Sequence, residues 1–576
     1  MTLLNETAPA PQVLVVGAGP VGLSAAHELA RHGARVRLVD AAAGPATTSR
    51  ALATHARTLE TYDQMGILDE LLPRGQRVEH FTLHQNGRRL IRFDTDYSRL
   101  PTRFPFTLMV DQVITEEVLR TATARRGVAV EWGVRLTEFE DLGSDGVRAH
   151  LVHTDGTTET VTADWLVGTD GGHSTIRKQL GLKLEGESSE TWLIADATVH
   201  CDLPKDSIHW MRTPTGTVMM VPFPEPGKWR LLDTAETSYG GDDAMVARRF
   251  AAKISTGTGR PAVVESPSWV SVFTIQQRMI GQMRNGRVLL AGDAAHVHSP
   301  ASGQGMNTGV QDAVNLSWKL AAVLRGEAPD SLLDSYSDER VPVGAELLRT
   351  TKMATMLVQL KSRRAAAALR AAFTVLRSLP PVKGRIQRKI MGGMSALGLG
   401  YAAGPLAHAS APSPGVRPGE RVARVTAPDL VTSPGWQEVI AELQRPEWLL
   451  LTFGAAPEDR YGPSVRVRTV NTPGPDTLSD PAGHLSTALG APRGHLAPDP
   501  PRRLPGRARH SEGVPVDRTD LPGNPPRRIP STRLAEKPIG PAPDIVRWRA
   551  QLVPGEESAP PAFEERGVRG AAPPGT

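Results

Sequence analysis

One cysteine, Cys201, stands in 576 residues. A single thiol excludes an intramolecular disulfide and any Cys-rich zinc site, which suits a reducing cytosol, and no other grouping suggests a metal. Long apolar runs are missing as well. Nowhere do about 18 uncharged apolar residues follow one another, the length a membrane-spanning helix needs. The stretch Met1-Thr-Leu-Leu-Asn-Glu-Thr-Ala-Pro-Ala10 has no basic patch ahead of an apolar core. These absences predict a soluble cytoplasmic protein with no membrane partner. Charge of one sign is scarce too: the formal net charge is +5, and from Arg493 onward 14 Lys and Arg stand against 10 Asp and Glu, so the rest of the chain is close to neutral. That argues against a nucleic-acid partner, which needs basic residues clustered on one face with aromatic or helical readers.

The length allows roughly three or four domains of about 150 residues each. What the chain does have is glycine at the ends of apolar runs. Gln12-Val-Leu-Val-Val16 has the pattern of a buried strand. Gly17-Ala-Gly19-Pro20-Val-Gly22 follows, then an apolar-faced helix with Leu23, Ala26, Leu29 and Ala30, then Arg35-Val-Arg-Leu-Val39 ending in Asp40. This predicts a βαβ unit. Gly17 permits the tight turn, Gly19 lets the backbone approach a pyrophosphate, Gly22 lets helix and strand pack closely, and Asp40 is placed to accept hydrogen bonds from a ribose hydroxyl pair. Dinucleotide binding is the expectation, and a plain glycine turn the alternative.

Two further strand ends carry Asp beside Gly. Trp165-Leu-Val-Gly-Thr-Asp170-Gly171-Gly-His-Ser174-Thr-Ile-Arg177 reads as a strand followed by a helical turn with Ser174 and Arg177 on one side, or simply as a capped helix start. Arg287 to Ala291 is a short apolar run of the kind a buried parallel strand needs, and it stops at Gly292-Asp293. A carboxylate there sits at the carboxyl edge, where open α/β sheets bind ligands. After Pro300-Ala-Ser-Gly303-Gln304-Gly305, apolar positions Val310, Ala313, Val314, Leu320 and Ala321 recur at helical spacing. Met306-Asn307 should therefore open a helix whose free N–H groups favour an anion.

In this order and spacing the three motifs resemble the group A flavoprotein monooxygenases, the single-component FAD-dependent aromatic hydroxylases of the para-hydroxybenzoate hydroxylase type. The likeness covers roughly residues 10 to 345. The wording of Arg50-Ala-Leu-Ala-Thr-His55-Ala-Arg57-Thr-Leu-Glu60 and Leu108-Met-Val-Asp111-Gln112 resembles most the branch acting on polycyclic polyketides such as anthracyclines, angucyclines and tetracyclines. The resemblance implies an α/β fold: a Rossmann-like FAD-binding domain in two parts (10–185 and 276–342), an inserted antiparallel-sheet substrate domain (186–275, with 80–108 contributing), a helical segment (343–405) and a thioredoxin-like domain (412–496). It implies bound FAD, with NADPH or NADH and O₂ as co-substrates and a small aromatic molecule as substrate. In the family, O₂ adds at flavin C4a and the resulting hydroperoxide delivers an oxygen atom to an electron-rich ring. FAD contacts carry over to Gly17, Gly19, Pro20, Gly22, Asp40, Arg50, Gln112, Asp170, Gly292, Asp293, Gly303, Gly305, Met306 and Asn307. Asp40 departs mildly from the family's usual Glu, and the alternatives are a solvated charge for Arg50 and a helix-start surface residue for Gln112. Pro300 fits the position whose backbone approaches the substrate beside the flavin.

Between the flavin motifs, residues 187 to 275 hold short alternating runs separated by Pro and Gly, the pattern of an antiparallel sheet. Met211, Met220, Phe223 and Trp229, with Trp210 and Met219 nearby, are candidates for an apolar pocket wall around a flat polycycle, or else plain core. His55, His296 and His298 are acid/base candidates by their neutral-range titration, or hydrogen-bonded structural groups beside the cofactor. The run 343–400, rich in Ala, Leu and Met and interrupted at Pro380-Pro381, predicts a pair of helices. Residues 1–9 are expected to be flexible, and Pro412 to Pro418 to be a linker. No Cys-x-x-Cys occurs, so the C-terminal domain has no dithiol chemistry. From 497 to 576 the chain is rich in Pro, Gly and Arg, a composition that predicts disorder. The assembly expected is a monomer or homodimer. Alternatives to hydroxylation are Baeyer–Villiger oxygen insertion by the same fold, an FAD-dependent reductase or halogenase, or a non-catalytic flavoprotein. Trp192-Leu-Ile-Ala-Asp196 does not match the Trp-x-Trp-x-Ile-Pro of the tryptophan halogenases.

Overall fold

The structure, a computed structural model, describes residues 10–48, 51–299, 303–358, 371–373, 375–376, 378–407, 415–453, 462–490 and 545–547. Arg50, Pro300 and nearly all of 497–576 lie outside these. Val13–Val16 is buried along its whole length, as a strand covered on both faces must be. It lies at the centre of a six-stranded sheet ordered Arg284–Asn285, Val288–Leu290, Trp165–Gly168, Val13–Val16, Val36–Asp40, Val130–Trp132. Every pairing is parallel except that of the edge strand Arg284–Asn285. Val16 registers with Gly168, and Gly168 with Leu290. The three motifs, far apart in sequence, therefore leave three adjacent parallel strands at the same carboxyl edge. Helix Pro20–Arg31 packs against helix Gly305–Leu324 over this sheet.

The second sheet has nine strands and covers the stretch 186–275 together with 80–94. Its backbone is Glu185–His200 paired antiparallel to Trp269–Met279 and to Lys228–Asp233, continued by Gly216–Pro222 and Ser207–Thr213. His80–Gln85 and Arg88–Asp94 complete one side. His80–Gln85 runs parallel to Ser207–Thr213, so the sheet is mixed, because this hairpin enters from a distant part of the chain rather than through a tight turn.

Successive strand residues point to opposite faces, and the two faces meet different neighbours. Leu193, Ala195, Met211, Val218, Met220, Trp229 and Leu231 pack on Val246, Phe250 and Ile254 of helix Asp243–Thr258. Trp192, Ile194, Trp210, Met219, Val221, Phe223, Leu232 and Ile275 pack on Leu52, Ala53, Val78 and Met109, which belong to or adjoin the small sheet Ala53–Thr54, Thr107–Met109, Gln76–Val78. This corrects the expected pocket wall. Met211, Met220 and Trp229 face the helix and form core, and of the four only Phe223 lies on the face turned toward the nucleotide motifs.

Helix Asp334–Val358 runs through Pro342, so the change of character read at Arg340-Val-Pro342 is not a break in the fold. Pro380 opens the helix Pro380–Ser395, in keeping with proline's tolerance in a first turn. The C-terminal unit is a small α/β layer, with Trp448–Phe453, Val465–Val470 and Thr477–Leu478 parallel around buried Trp436, Val439, Leu451 and Leu485. Within the tail expected to lack order, Ile545–Arg547 pairs antiparallel with Trp448–Phe453; Ile-Val-Arg is one of the tail's few β-branched stretches. Among the described residues no helix is long and apolar enough to cross a membrane, and no cluster of His, Cys, Asp and Glu is placed to hold a metal.

Trimming a side chain on the helix-facing side should therefore cost stability and nothing else. Met220→Ala is expected to lose about 2–5 kcal/mol in urea unfolding while leaving the affinity of the FAD-loaded protein for aromatic ligands unchanged; a variant that binds ligand much more weakly at full stability would contradict the face assignment.

Candidate functional site

The first motif is built around the three glycines, each for a different reason. Gly17 has φ +105°, and a Cβ there would lie 2.4 Å from the Thr169 carbonyl oxygen. Gly22 has no room either, since a Cβ would fall 1.8 Å from the Gly17 oxygen. Around Gly19 nothing lies within 4 Å of the Cβ position. The protein gives no internal reason for glycine at 19, which fits a position kept bare for a ligand. Pro20 begins the helix Pro20–Arg31 with Gly19 as its N-cap residue and no side-chain cap. Asp40 holds the turn, its Oδ2 accepting from the Ala18 N–H at 2.6 Å and its Oδ1 from the Ala42 N–H at 2.7 Å. Sequence spacing gave this carboxylate a ribose to bind; the structure adds that it braces the glycine loop.

The second motif is tied to the first and the third. Thr169 Oγ1 donates to the carbonyls of Val16 and Gly17, both at 2.9 Å. Asp170 Oδ2 accepts from the Thr175 and Ile176 N–H groups at 2.7 and 3.2 Å, whereas its Oδ1 is buried with no hydrogen-bond partner. Ser174 caps the short helix, accepting from the Arg177 N–H at 3.0 Å, so the capped-start reading of this residue is what the structure displays. The Arg177 guanidinium donates to Gly172 O at 2.9 Å and to Ala294 O at 3.1 Å, clamping the second loop to the third.

The third motif turns at Gly292, φ +60°, and leaves Asp293 exposed at the strand edge. Gly303, φ +62°, sits against Ala53, whose Cβ would be 2.8 Å from a side chain there. Helix Gly305–Leu324 then starts with no side-chain cap and no acidic residue in its first turn, so the N–H groups at Gly305, Met306 and Asn307 are left for an anionic partner. The Asn307 side chain does not serve that partner. Its Nδ2 donates to Ala53 O (2.8 Å) and Gly303 O (2.7 Å), and its Oδ1 accepts from the His55 N–H at 2.9 Å. Gln112 opens helix Gln112–Arg125. Its Oε1 accepts from the Ala51 N–H at 2.9 Å, and its Nε2 donates to Glu116 at 2.8 Å, so it fixes the backbone next to Arg50 rather than lying idle on the surface.

Two residues that sequence reading passed over hold the third motif together. Asp312, with 0 % exposure, accepts from Arg340 Nε at 2.6 Å and from the Gly292 N–H at 3.1 Å, and pairs with His296 Nε2 at 2.6 Å. Burial alone would raise its pKa, but His296 and Arg340 pull it down to about 2. Arg340 also donates to Tyr401 Oη (3.0 Å) and Thr308 O (3.1 Å). His298 Nε2 lies 2.7 Å from His296 Nδ1. His55 is buried, its Nδ1 3.2 Å from Thr107 Oγ1. The histidines are thus hydrogen-bonded parts of the frame. The available signal was a polar stripe at helical spacing, Thr308, Asp312, Asn315 and Lys319, inside a helix otherwise rich in apolar residues.

These features fit an FAD site: a bare glycine cradle, a buried carboxylate oxygen without a partner, an uncapped long helix, and an exposed carboxylate on one edge. Comparison with known proteins agrees. Residues 10–351 match the family model described as FAD binding domain. The chain belongs to that family. This flavoprotein is 52% identical over 500 residues, 85% of its own length and 89% of the relative's, to 6-methylpretetramide 4-monooxygenase of Streptomyces rimosus. Among solved structures it is similar to the OxyS anhydrotetracycline hydroxylase of Streptomyces rimosus, with TM-score 0.61, 30% identity and coverage of 83% and 92% of the two chains. It is also similar to CabE, an aromatic hydroxylase from angucycline biosynthesis, with TM-score 0.62, 30% identity and coverage of 82% and 92%. The flavoprotein is an FAD-dependent monooxygenase with NAD(P)H as co-substrate.

Two outcomes follow. Gly19→Ala should leave the melting temperature of the apoprotein within about 2 °C, since no contact changes, yet cut FAD affinity at least about tenfold by crowding a pyrophosphate; Gly22→Ala should lose both. Equal FAD retention by Gly19→Ala and wild type would refute the cradle. Asp312→Asn should cost about 3–5 kcal/mol by leaving Arg340 buried without its anion. Because the folded carboxyl titrates near 2, below the ordinary value of about 3.9, its contribution is complete above about pH 4 and is lost as pH falls toward 2. Acid unfolding of the variant should accordingly be shallower across that window, which a stability titration by circular dichroism reads directly.

Proposed function

We propose that this flavoprotein hydroxylates a polycyclic aromatic polyketide of the pretetramide class, in the cytoplasm, as a monomer or homodimer. The observation that carries the substrate class is the 52% identity with 6-methylpretetramide 4-monooxygenase across nearly the full length of both chains. The site supports the reading through its own chemistry. FAD, when bound, takes reducing equivalents from NAD(P)H and activates O₂; the protein supplies position, charge and dryness. Gly17, Gly19 and Gly22 would give the pyrophosphate an approach, with Asp40 at the ribose, and Arg50 is assigned a phosphate contact by resemblance. Asp293 would accept from the ribityl hydroxyls. Negative charge on the ring system is favoured beside the N-terminus of Gly305–Leu324, which needs no cationic side chain. Trp210, Val221, Phe223 and Leu232 form an apolar wall that excludes water and suits a flat ring system. Pro300, by resemblance, would position the substrate through its backbone.

The test is NADPH and NADH consumption by the FAD-loaded enzyme with and without 6-methylpretetramide and related polycyclic phenols. Substrate is expected to accelerate consumption, with one oxygen atom gained as a ring hydroxyl. A lactone product would move the reading to Baeyer–Villiger insertion, and unaccelerated consumption across the panel with FAD retained would remove the substrate class.

A further inference from the structure

The sheet face that meets Leu52, Ala53, Val78 and Met109 adjoins the cofactor motifs, because Ala53 is held by Asn307 and packs against Gly303. A polar group on such a face needs a partner, since a buried donor or acceptor left unmatched is costly. One polar pair has its own answer: the Arg230 guanidinium forks onto Asp196 at 2.8 and 2.7 Å. Three groups do not. Gln85 is buried and its Oε1 has no hydrogen-bond partner. Trp192 has 0 % exposure, and its indole N–H has no partner. Arg212 is half-buried. Among the described residues no carboxylate pairs with its guanidinium, and burial is the one influence on its titration.

These three lie on one row. Arg212 registers with Gln85 on one side and with Thr217 on the other. Met211, Val218, Asp233 and Leu193 form a straight line across four strands. Arg212 and Trp192 are each one residue further in the same direction, with Thr217 and Thr234, joined at 3.1 Å, between them. Period-two alternation puts Arg212 on the side of Ile208 and Trp210, Gln85 on the side of Phe81 and Leu83, and Trp192 beside Ile194. From Arg212 to Trp192 is three strand intervals, about 14 Å. The row thus offers a cation and an acceptor at one end and a donor at the other, with Thr217 and Thr234 between and the apolar row Trp210, Met219, Leu232 and Ile194 beside it.

We propose that Arg212, Gln85 and Trp192 are the polar anchors of the substrate face, holding the oxygen-bearing edge of a polycyclic phenol in its ionised form. This rests on the functional reading above and specifies the ligand's chemistry. Arg212 meets an ionised ring oxygen, Gln85 Oε1 accepts from a neighbouring hydroxyl, and the Trp192 N–H donates to an oxygen further along. A fixed guanidinium in a half-dry site favours the phenolate over the phenol, and the ionised ring is the more electron-rich target for an electrophilic oxygen. The apolar wall alone could hold a hydrocarbon; the row sets which edge points where.

The test titrates full-length FAD-loaded wild type, Arg212→Gln, Arg212→Lys and Trp192→Phe with 6-methylpretetramide at neutral pH. Flavin absorbance reads the dissociation constant, and the ligand's own long-wavelength band reads its ionisation. Arg212→Gln is expected to weaken binding about 10- to 100-fold and to abolish the phenolate band, with Arg212→Lys recovering part of both. Trp192→Phe keeps an aromatic ring and removes the N–H together with the five-membered ring that carries it, for a loss of about 3- to 10-fold. FAD content should match wild type in all three and melting temperature in both Arg212 variants, whereas Trp192→Phe, which trims a fully buried side chain, is expected to melt lower and is titrated well below its transition. An Arg212→Gln protein with wild-type affinity and wild-type phenolate band makes Arg212 a solvated charge and overturns the anchor alone. A wild-type protein that retains FAD and fails to bind the probe overturns the substrate class, and the anchor with it.

Discussion

The Asp312 carboxylate is out of reach of water and still carries its charge. Taking an ion from water costs several kcal/mol, and here the cost is offset by geometry: the side chains of Arg340 and His296 at 2.6 Å on opposite oxygens, and the Gly292 amide behind. One carboxylate thereby joins a strand end, the loop that follows it, the helix after that, and the next long helix through Arg340. Asn307 makes a second junction a turn and a half earlier on the same helix, to Ala53, Gly303 and His55. Two fixed points determine where the helix begins and which way its amide groups face. The anion-binding end of Gly305–Leu324 is thus set by buried polar contacts, with no contribution from a cap.

The βαβ unit and the two Asp-bearing strand ends were legible because each is local: an apolar run, a glycine where the backbone must turn or be approached, an acid at the edge. Their convergence was not local. Nothing between Gly22 and Gly168 states that Val16 and Gly168 will be neighbours; the sheet order does that. Asp312 and Arg340 were passed over because a charge within a helical pattern, or just before Pro342, looks like a surface position until its partner is known. Met211, Met220 and Trp229 were placed in the pocket for a related reason. Alternation divides a strand into two faces without saying which meets ligand, and the landing of helix Asp243–Thr258 on one of them decides it.

The C-terminal unit is attached by a similar device. The Arg421 side chain donates to Glu60 at 2.7 Å, with both side chains at 1 % exposure, and to the Pro101 carbonyl at 2.7 Å, while Thr102 donates to the same Glu60 oxygen at 2.8 Å. Trp318 and Trp448 meet edge to face at 5.1 Å. A buried ion pair is geometrically demanding and adds little net stability, so its contribution here is to orientation, fixing Arg421 on helix Ala56–Gln64 while the Trp318–Trp448 contact sets the small α/β layer against the helix that begins at the cofactor edge.

The parallel register of Val16, Gly168 and Leu290 also orders events during synthesis. The first glycine loop and one flanking strand, Val36–Asp40, are complete within the first few dozen residues to emerge, but the strands that carry the second and third motifs come some 150 and 270 positions later, and Asn307 later still. A nascent chain therefore carries an incomplete nucleotide fingerprint for more than half of its translation. Capture of the flavin belongs to the second half of translation, and every earlier intermediate must keep the free edge of its central strand from pairing with other strands without help from the cofactor.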